Sequence, residues 1–142
     1  MNVTLRILWI FLVVSGFSLF AEGAYADRCR EHKNGGGQVC DKARADATVY
    51  IAFNAKITQN AIASGNARIL GNSIVEGNAL VGENATIETN ARVYGHACIM
   101  GKARVGGNSR VYGNAIVTAD AVVKGNARVY GDAVLLDRAV AE

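Results

Sequence analysis

Arginine and tyrosine recur together in the C-terminal half of this 142-residue chain, as Arg92 and Tyr94, Arg110 and Tyr112, and Arg128 and Tyr130, each pair eighteen residues after the last. A guanidinium grips a carboxylate, phosphate or sulfate through a fork of donors, and a tyrosine adds a flat ring and a hydroxyl. Two such rows side by side suit an acidic polysaccharide or a lipopolysaccharide. The plainer reading is that the residues recur because a repeat was duplicated, with stacked Tyr and neighbouring Arg stabilising a wall. His96 is the one candidate general base in the repeats, but it stands where Asn stands elsewhere and reads first as an Asn substitute. No Ser-His-Asp set and no paired carboxylates occur at usable spacing, so the chain reads as non-catalytic and without a cofactor.

What would position these residues is a repeat of six. From Asp41 to Glu142 the chain divides into seventeen consecutive hexads without insertion, most of the form Gly-Asn-Ala-x-Val/Ile-x. Side chains alternate across a strand, so Ala67 and Ile69 would point inward while Arg68 and Leu70 point outward. Gly and Asn open most hexads because a tight corner needs a positive φ, which these two residues adopt at least cost. Asn54, Asn72, Asn90, Asn108 and Asn126 would pass their amides from one layer to the next. The eighteen-residue period sets three hexads to a coil. The expected fold is all-β, a single-stranded parallel β-helix of between five and six coils, about 25–30 Å long at a layer spacing of about 4.8 Å.

The Gly-Asn-Ala-Arg-Val-Tyr hexads of 41–142 resemble the hexapeptide-repeat family, the parallel β-helix of many bacterial acyltransferases. The resemblance implies a left-handed coil, although ordinary parallel crossovers are right-handed. It also implies trimers, and for the enzymes a His in the cleft between neighbouring prisms, a role that would fall to His96. Here Gly follows the aliphatic residue by two positions rather than one. No inserted loop is present to shape an acyl-donor site, and the three zinc-binding histidines of carbonic-anhydrase relatives are missing. The family also includes purely structural proteins, so the resemblance speaks to fold more than to activity.

Ahead of the repeats, Arg6, the uncharged apolar run Ile7–Phe20 and Ala24-Tyr25-Ala26 read as a signal peptide over 1–26, cleaved before Asp27. The apolar run is shorter than a spanning helix needs, so no stable membrane span is expected after cleavage, and the protein reads as periplasmic or secreted. In an oxidising compartment Cys29 and Cys40 would close the polar, Gly-rich segment between them, making residues 27–40 a cap over the open end of the helix. The rival is a metal clip of Cys29, His32 and Cys40, which lacks an obvious fourth ligand. Cys98 is left over, outward-facing, for packing at an interface or for an intermolecular bridge.

Assembled on the eighteen-residue period, one outer face carries Ile62, Leu80, Cys98, Ile116 and Val134 in a line, with Met100, Thr118 and Leu136 beside it. An exposed apolar stripe of this size marks a partner surface, here a trimer or dimer of the same chain. Arg68, Thr86, Arg104 and Val122, with Leu70, Glu88, Gly106 and Lys124, make up a mixed third face. The net charge of +3 is too mild to imply nucleic acid. The functional expectation is an exported structural or binding module that self-associates through the apolar face. Its alternatives are an envelope- or acidic-polysaccharide-binding protein using the Arg and Tyr rows, and a minimal trimeric acyltransferase.

Overall fold

The structure, a computed structural model, describes residues 28–142; the signal segment expected at 1–26 and the expected cleavage before Asp27 lie outside them. Strand β1 (Cys29–Glu31) turns back antiparallel on β2 (Gln38–Cys40). Two-residue strands follow at every sixth residue: β3 (Arg44–Ala45), β4 (Tyr50–Ile51) and β5 (Lys56–Ile57) make the first round, and the series runs on to β19 (Val140–Ala141). Each strand pairs in parallel with the one eighteen residues away, giving three sheets on three faces. The chain is a parallel β-helix with three hexads to a coil, as the periodicity predicts.

The interior follows from the alternation. From Val49 to Val129 the third and fifth residues of every hexad are at most 6% exposed. One position is small and the other branched except at Val49 with Ile51 and at Ala61 with Ala63, which offset each other, so each coil delivers three small and three bulky groups to a narrow core. Each buried Val or Ile contributes about 1.5–3 kcal/mol before chain entropy is set against it. Ser73 and Ser109 occupy two of the small sites, and their hydroxyls donate to the Leu70 and Gly106 carbonyls at 2.7 Å. The polar substitutes are therefore satisfied within their own corner.

At the corners, the left-handed conformation belongs to the first residue alone. Gly65, Gly71, Gly77 and Gly107 have φ between 64 and 74°, and non-glycines such as Thr89 and Ala119 also adopt it. The Asn that follows does not. Its work is the ladder: Asn72 Nδ2 donates to Asn90 at 3.2 Å, Asn90 to Asn108 at 3.1 Å and Asn108 to Asn126 at 3.4 Å. The ladder expected from Asn54 is open at its first step, since no bond joins Asn54 to Asn72.

The cysteine-bracketed segment, expected as a loop, is a hairpin, and its second strand belongs to the wall. Val39 is fully buried, and β2 pairs with β5 through Gln38 opposite Lys56. Cys29 lies directly opposite Cys40, and the two form a disulfide. The hairpin tip then closes the first coil. Gly37 N donates to Ile51 O at 2.9 Å, and Ile51 N to Asn34 O at 3.0 Å. Arg30 donates to Ala43 O at 3.2 Å and His32 Nε2 to Asp46 O at 3.1 Å. Backbone groups that would otherwise be open sheet edges on β3 and β4 are thus satisfied, which is what the end of a stacked-repeat protein requires.

Candidate functional site

The Arg and Tyr rows lie on the face that begins with the hairpin. Arg92 is in register with Arg110, and Arg110 with Arg128. Beside them the Tyr94 and Tyr112 rings stack at 4.8 Å and 2°, and Tyr112 and Tyr130 at 5.4 Å and 14°. Layer spacing imposes this distance, because identical residues one coil apart must meet ring to ring. Arg92 is committed: its guanidinium holds Glu76 at 2.5 Å and lies 6.0 Å from the Tyr94 ring centroid. Arg110 and Arg128 have no carboxylate partner among the described residues. Toward the N-terminus the register gives way to Ile74 and Lys56, so the basic row spans three coils.

The apolar row is equally continuous. Ile62, Leu80, Cys98, Ile116 and Val134 are joined pairwise in register. Ile62, Ile116, Val134 and Leu136 are exposed, the last two at 52%. Leu80, Cys98, Met100 and Thr118 are half-buried. The second outward row is Ser64, Gly82, Met100, Thr118 and Leu136, so ten outward positions over five coils carry no charge. Burial first, and then the Glu83 carboxylate, push the Cys98 thiol above its ordinary pKa. A raised pKa means less thiolate at any pH below it, and thiolate is the nucleophile. Cys98 is therefore expected to react with Ellman's reagent at pH 8 several-fold more slowly than in the urea-unfolded chain, the gap narrowing as pH rises; equal rates would contradict this.

His96 sits exposed at a corner, its backbone N–H on Gly113 O at 2.8 Å. Its column otherwise holds Lys42, three Asn amides and the Asp132 carboxylate, with Asn60 bonded to Asn78 and Asn114 to Asp132. It makes no side-chain contact with a carboxylate among the described residues. On the third face Arg104 pairs with Glu88 at 2.9 Å and Lys124 with Glu142, while Arg68 lies 5.9 Å from the Tyr50 ring centroid. Among the described residues no three His, Cys, Asp or Glu side chains are grouped to hold a metal. The sulfurs of Cys29 and Cys40 are joined to each other, and the His32 ring is bonded to backbone, so the metal-clip reading has no free ligands.

One feature the sequence did not announce is a cleft of about 460 Å³ between the hairpin and the first corners of the Arg face, lined among others by Gln38, Phe53, Asn54, Lys56 and Asn72. Its only sequence signal is Phe53, a large aromatic at the opening position of a hexad.

Comparison with known proteins agrees with this architecture. A family model described as the YdcK β-solenoid repeat matches residues 109–124. No curated protein matches the chain in sequence. The acetyltransferase domain of PglB from Neisseria gonorrhoeae FA1090 is similar in structure, at a TM-score of 0.51 and 15% identity over 74% of this chain and 56% of that one. A mutant GDP-perosamine N-acetyl transferase from Caulobacter crescentus, solved with CoA and GDP-perosamine, matches at a TM-score of 0.36 and 15% identity, over 77% of this chain and 55% of that one. The chain thus spans just over half the length of these structures, and its likeness to the first is one of fold. By its repeat and its register this chain is a parallel β-helix built from hexapeptide repeats.

Proposed function

We propose that this protein is an exported, non-catalytic structural or binding module that self-associates through its apolar face. The observation that carries this reading is the strip of ten outward positions without a charge. The same sheet is charged only in its first coil, at Arg44 and Asp46, whereas the other two faces bear Lys56, Glu76, Arg92, Arg110 and Arg128, or Arg68, Glu88, Arg104, Lys124 and Glu142. A second copy of the same strip meets no like charge and desolvates no ion, whereas a charged partner would find nothing to pair with. Flat parallel walls also present the same surface at every coil, which favours a closed symmetric dimer or trimer. Export is supported by the leader-like sequence over 1–26 and by the Cys29–Cys40 disulfide, a bond that persists in oxidising compartments.

Light scattering on the protein expressed with its own leader tests the interface. The expected mass is a dimer or trimer that reductant leaves unchanged. Leu80→Arg with Ile116→Arg is expected to yield a monomer with an unaltered circular dichroism spectrum, because both side chains point outward. A monomeric wild type, or an oligomer unaffected by both arginines, would sink the reading.

One observation favours a second reading, the binding of an acidic polysaccharide. Arg110 and Arg128 stand in register without a carboxylate, beside stacked Tyr rings, and their mutual repulsion would be relieved by an anionic chain. Arg110→Ala with Tyr112→Ala would then abolish retention on a heparin or alginate matrix without changing the mass.

A further inference from the structure

We propose that the cleft at the N-terminal end of the prism, built around Phe53, Asn54, Asn72 and Gln38, is a binding site for the pyranose ring of a glycan. Four observations converge there, none of which depends on the apolar interface.

Phe53 is 77% exposed, the most exposed large hydrophobic side chain among the described residues. It occupies a hexad's opening position, which elsewhere belongs mostly to glycine or a small left-handed residue, and its own φ is not positive. The hairpin is the reason. Gly36 bridges Ala52, and Gly37 N bonds Ile51 O, so the chain enters this corner already tied to the cap. The ring is held at the rim of the cleft instead of packing inward.

The Asn ladder is broken at this place. Asn72 donates its Nδ2 to Asn90, which leaves its Oδ1 without the donor that Asn54 would supply if the ladder continued. Asn54 makes no side-chain hydrogen bond among the described residues, and both residues line the cleft. A donor and an acceptor one coil apart are thus left open together, beside the Gln38 amide. Two neighbouring hydroxyls on one sugar ring each give and take a hydrogen bond, which matches such a set.

The pairing of an exposed ring with amides selects the ligand class. The C–H face of an all-equatorial pyranose is apolar and flat enough to lie on an aromatic ring, while its edge is lined with hydroxyls. The volume of about 460 Å³ is within the usual range of small-ligand sites, about 300–1,000 Å³. The walls are also fixed in advance. The disulfide ties Cys29 to Cys40, and a Cβ on Gly37 would meet Ile51 and Ala52 at 2.2–2.8 Å, so the turn is seated against the core. Rigid walls reduce the ordering cost of binding.

Titration of the ¹⁵N-labelled full chain, expressed with its own leader, with cellotriose and with triacetylchitotriose tests this. Saturable shifts are expected at residues 36–38, 53–55 and 72, with roughly millimolar affinity, since a single ring and a few amides make few contacts. Phe53→Ala is expected to weaken binding about tenfold or more, and Asn54→Ala severalfold. Phe53 packs against little, so its loss should leave the thermal transition in place. The proposal is overturned by the absence of shifts with both sugars up to about 10 mM, by an affinity unchanged in Phe53→Ala, or by shifts confined to the Tyr94–Tyr130 rows. Saturation of the same residues by a peptide such as triglycine but not by sugars would overturn it in favour of a peptide site.

Discussion

Replacing Gly37 with valine is expected to destabilise the protein by about 3–5 kcal/mol, from overpacking of about 1–3 kcal/mol plus two displaced hydrogen bonds worth about 1 kcal/mol each. The glycine is buried, and a Cβ there would come within 2.2 Å of Ile51 Cγ2, 2.5 Å of Ala52 O and 2.8 Å of Ile51 O. Two of those atoms are backbone and the third is a core side chain, so the hairpin tip has to lift away. Lifting it costs the Gly37 N–H bond to Ile51 O and the Ile51 N–H bond to Asn34 O. The exposed edge of β4 is then open to pairing with other chains, so aggregation at modest temperature should accompany the loss of stability. The disulfide keeps β1 and β2 together, which places the failure at the tip. Replacing both Cys29 and Cys40 with serine in the same background should therefore add about 3 kcal/mol, the loop-closure value for a span of this length. Denaturant midpoints and turbidity on heating measure both effects, with exposed Lys33→Ala as the neutral control. A Gly37→Val protein as stable and soluble as the wild type would show that the hairpin does not cap the helix.

The contrast between Gly37 and the repeat glycines shows where the sequence was legible. A period of six with alternating small and branched residues places every inward side chain from Val49 to Val129, because strand alternation leaves no second assignment once the corners are set. The period of eighteen likewise assembles the faces: Arg92, Arg110 and Arg128 fall in register, as do Ile62, Leu80, Cys98, Ile116 and Val134. Periodicity is silent where the repeat meets something else. Nothing in Cys29–Cys40 has the hexad pattern, so β2 could not be read as part of the wall, although Val39 fills a core position. The corner at Phe53 is illegible for the same reason. The residues before it are tied by hydrogen bonds to the hairpin, and these cross from a segment with no repeat of its own. Position alone puts Asn54 in the ladder, and only the structure shows that this ladder begins at Asn72. Charge pairing follows the same period, with Glu76 and Glu88 placed to offset neighbouring arginines. Arg92 and Arg110 are equivalent in the repeat, yet only Arg92 has a glutamate one coil away on the neighbouring row.

Position along the stack should govern the cost of a core defect, and Ile87→Ala set against Leu135→Ala makes the comparison at nearly constant chemistry. Ile87 is fully buried and lies between two coils, opposite Ile69 on one side and Val105 on the other. Truncating it leaves a cavity bounded by rigid layers held by hydrogen bonds on both sides, a situation that allows little collapse. The expected cost is about 3–4 kcal/mol, within the range for large-to-small changes in well-packed cores. Leu135 is partly exposed in the last coil and is in register with Val117 on one side only among the described residues. Its truncation should cost about 1 kcal/mol or less, because water already reaches the site. The two variants should also differ in how they unfold. In a linear stack each coil is stabilised by its neighbours, so a central defect weakens the coupling between two halves that each retain their own contacts. Amide exchange in Ile87→Ala should accelerate in strands on both sides of Thr86–Ile87, and the denaturation curve should broaden. In Leu135→Ala, faster exchange should be confined to the last coil while the main transition stays sharp. Equal costs for the two substitutions would mean that the prism unfolds as one undivided unit, and that neighbour-to-neighbour coupling is not what sets its stability.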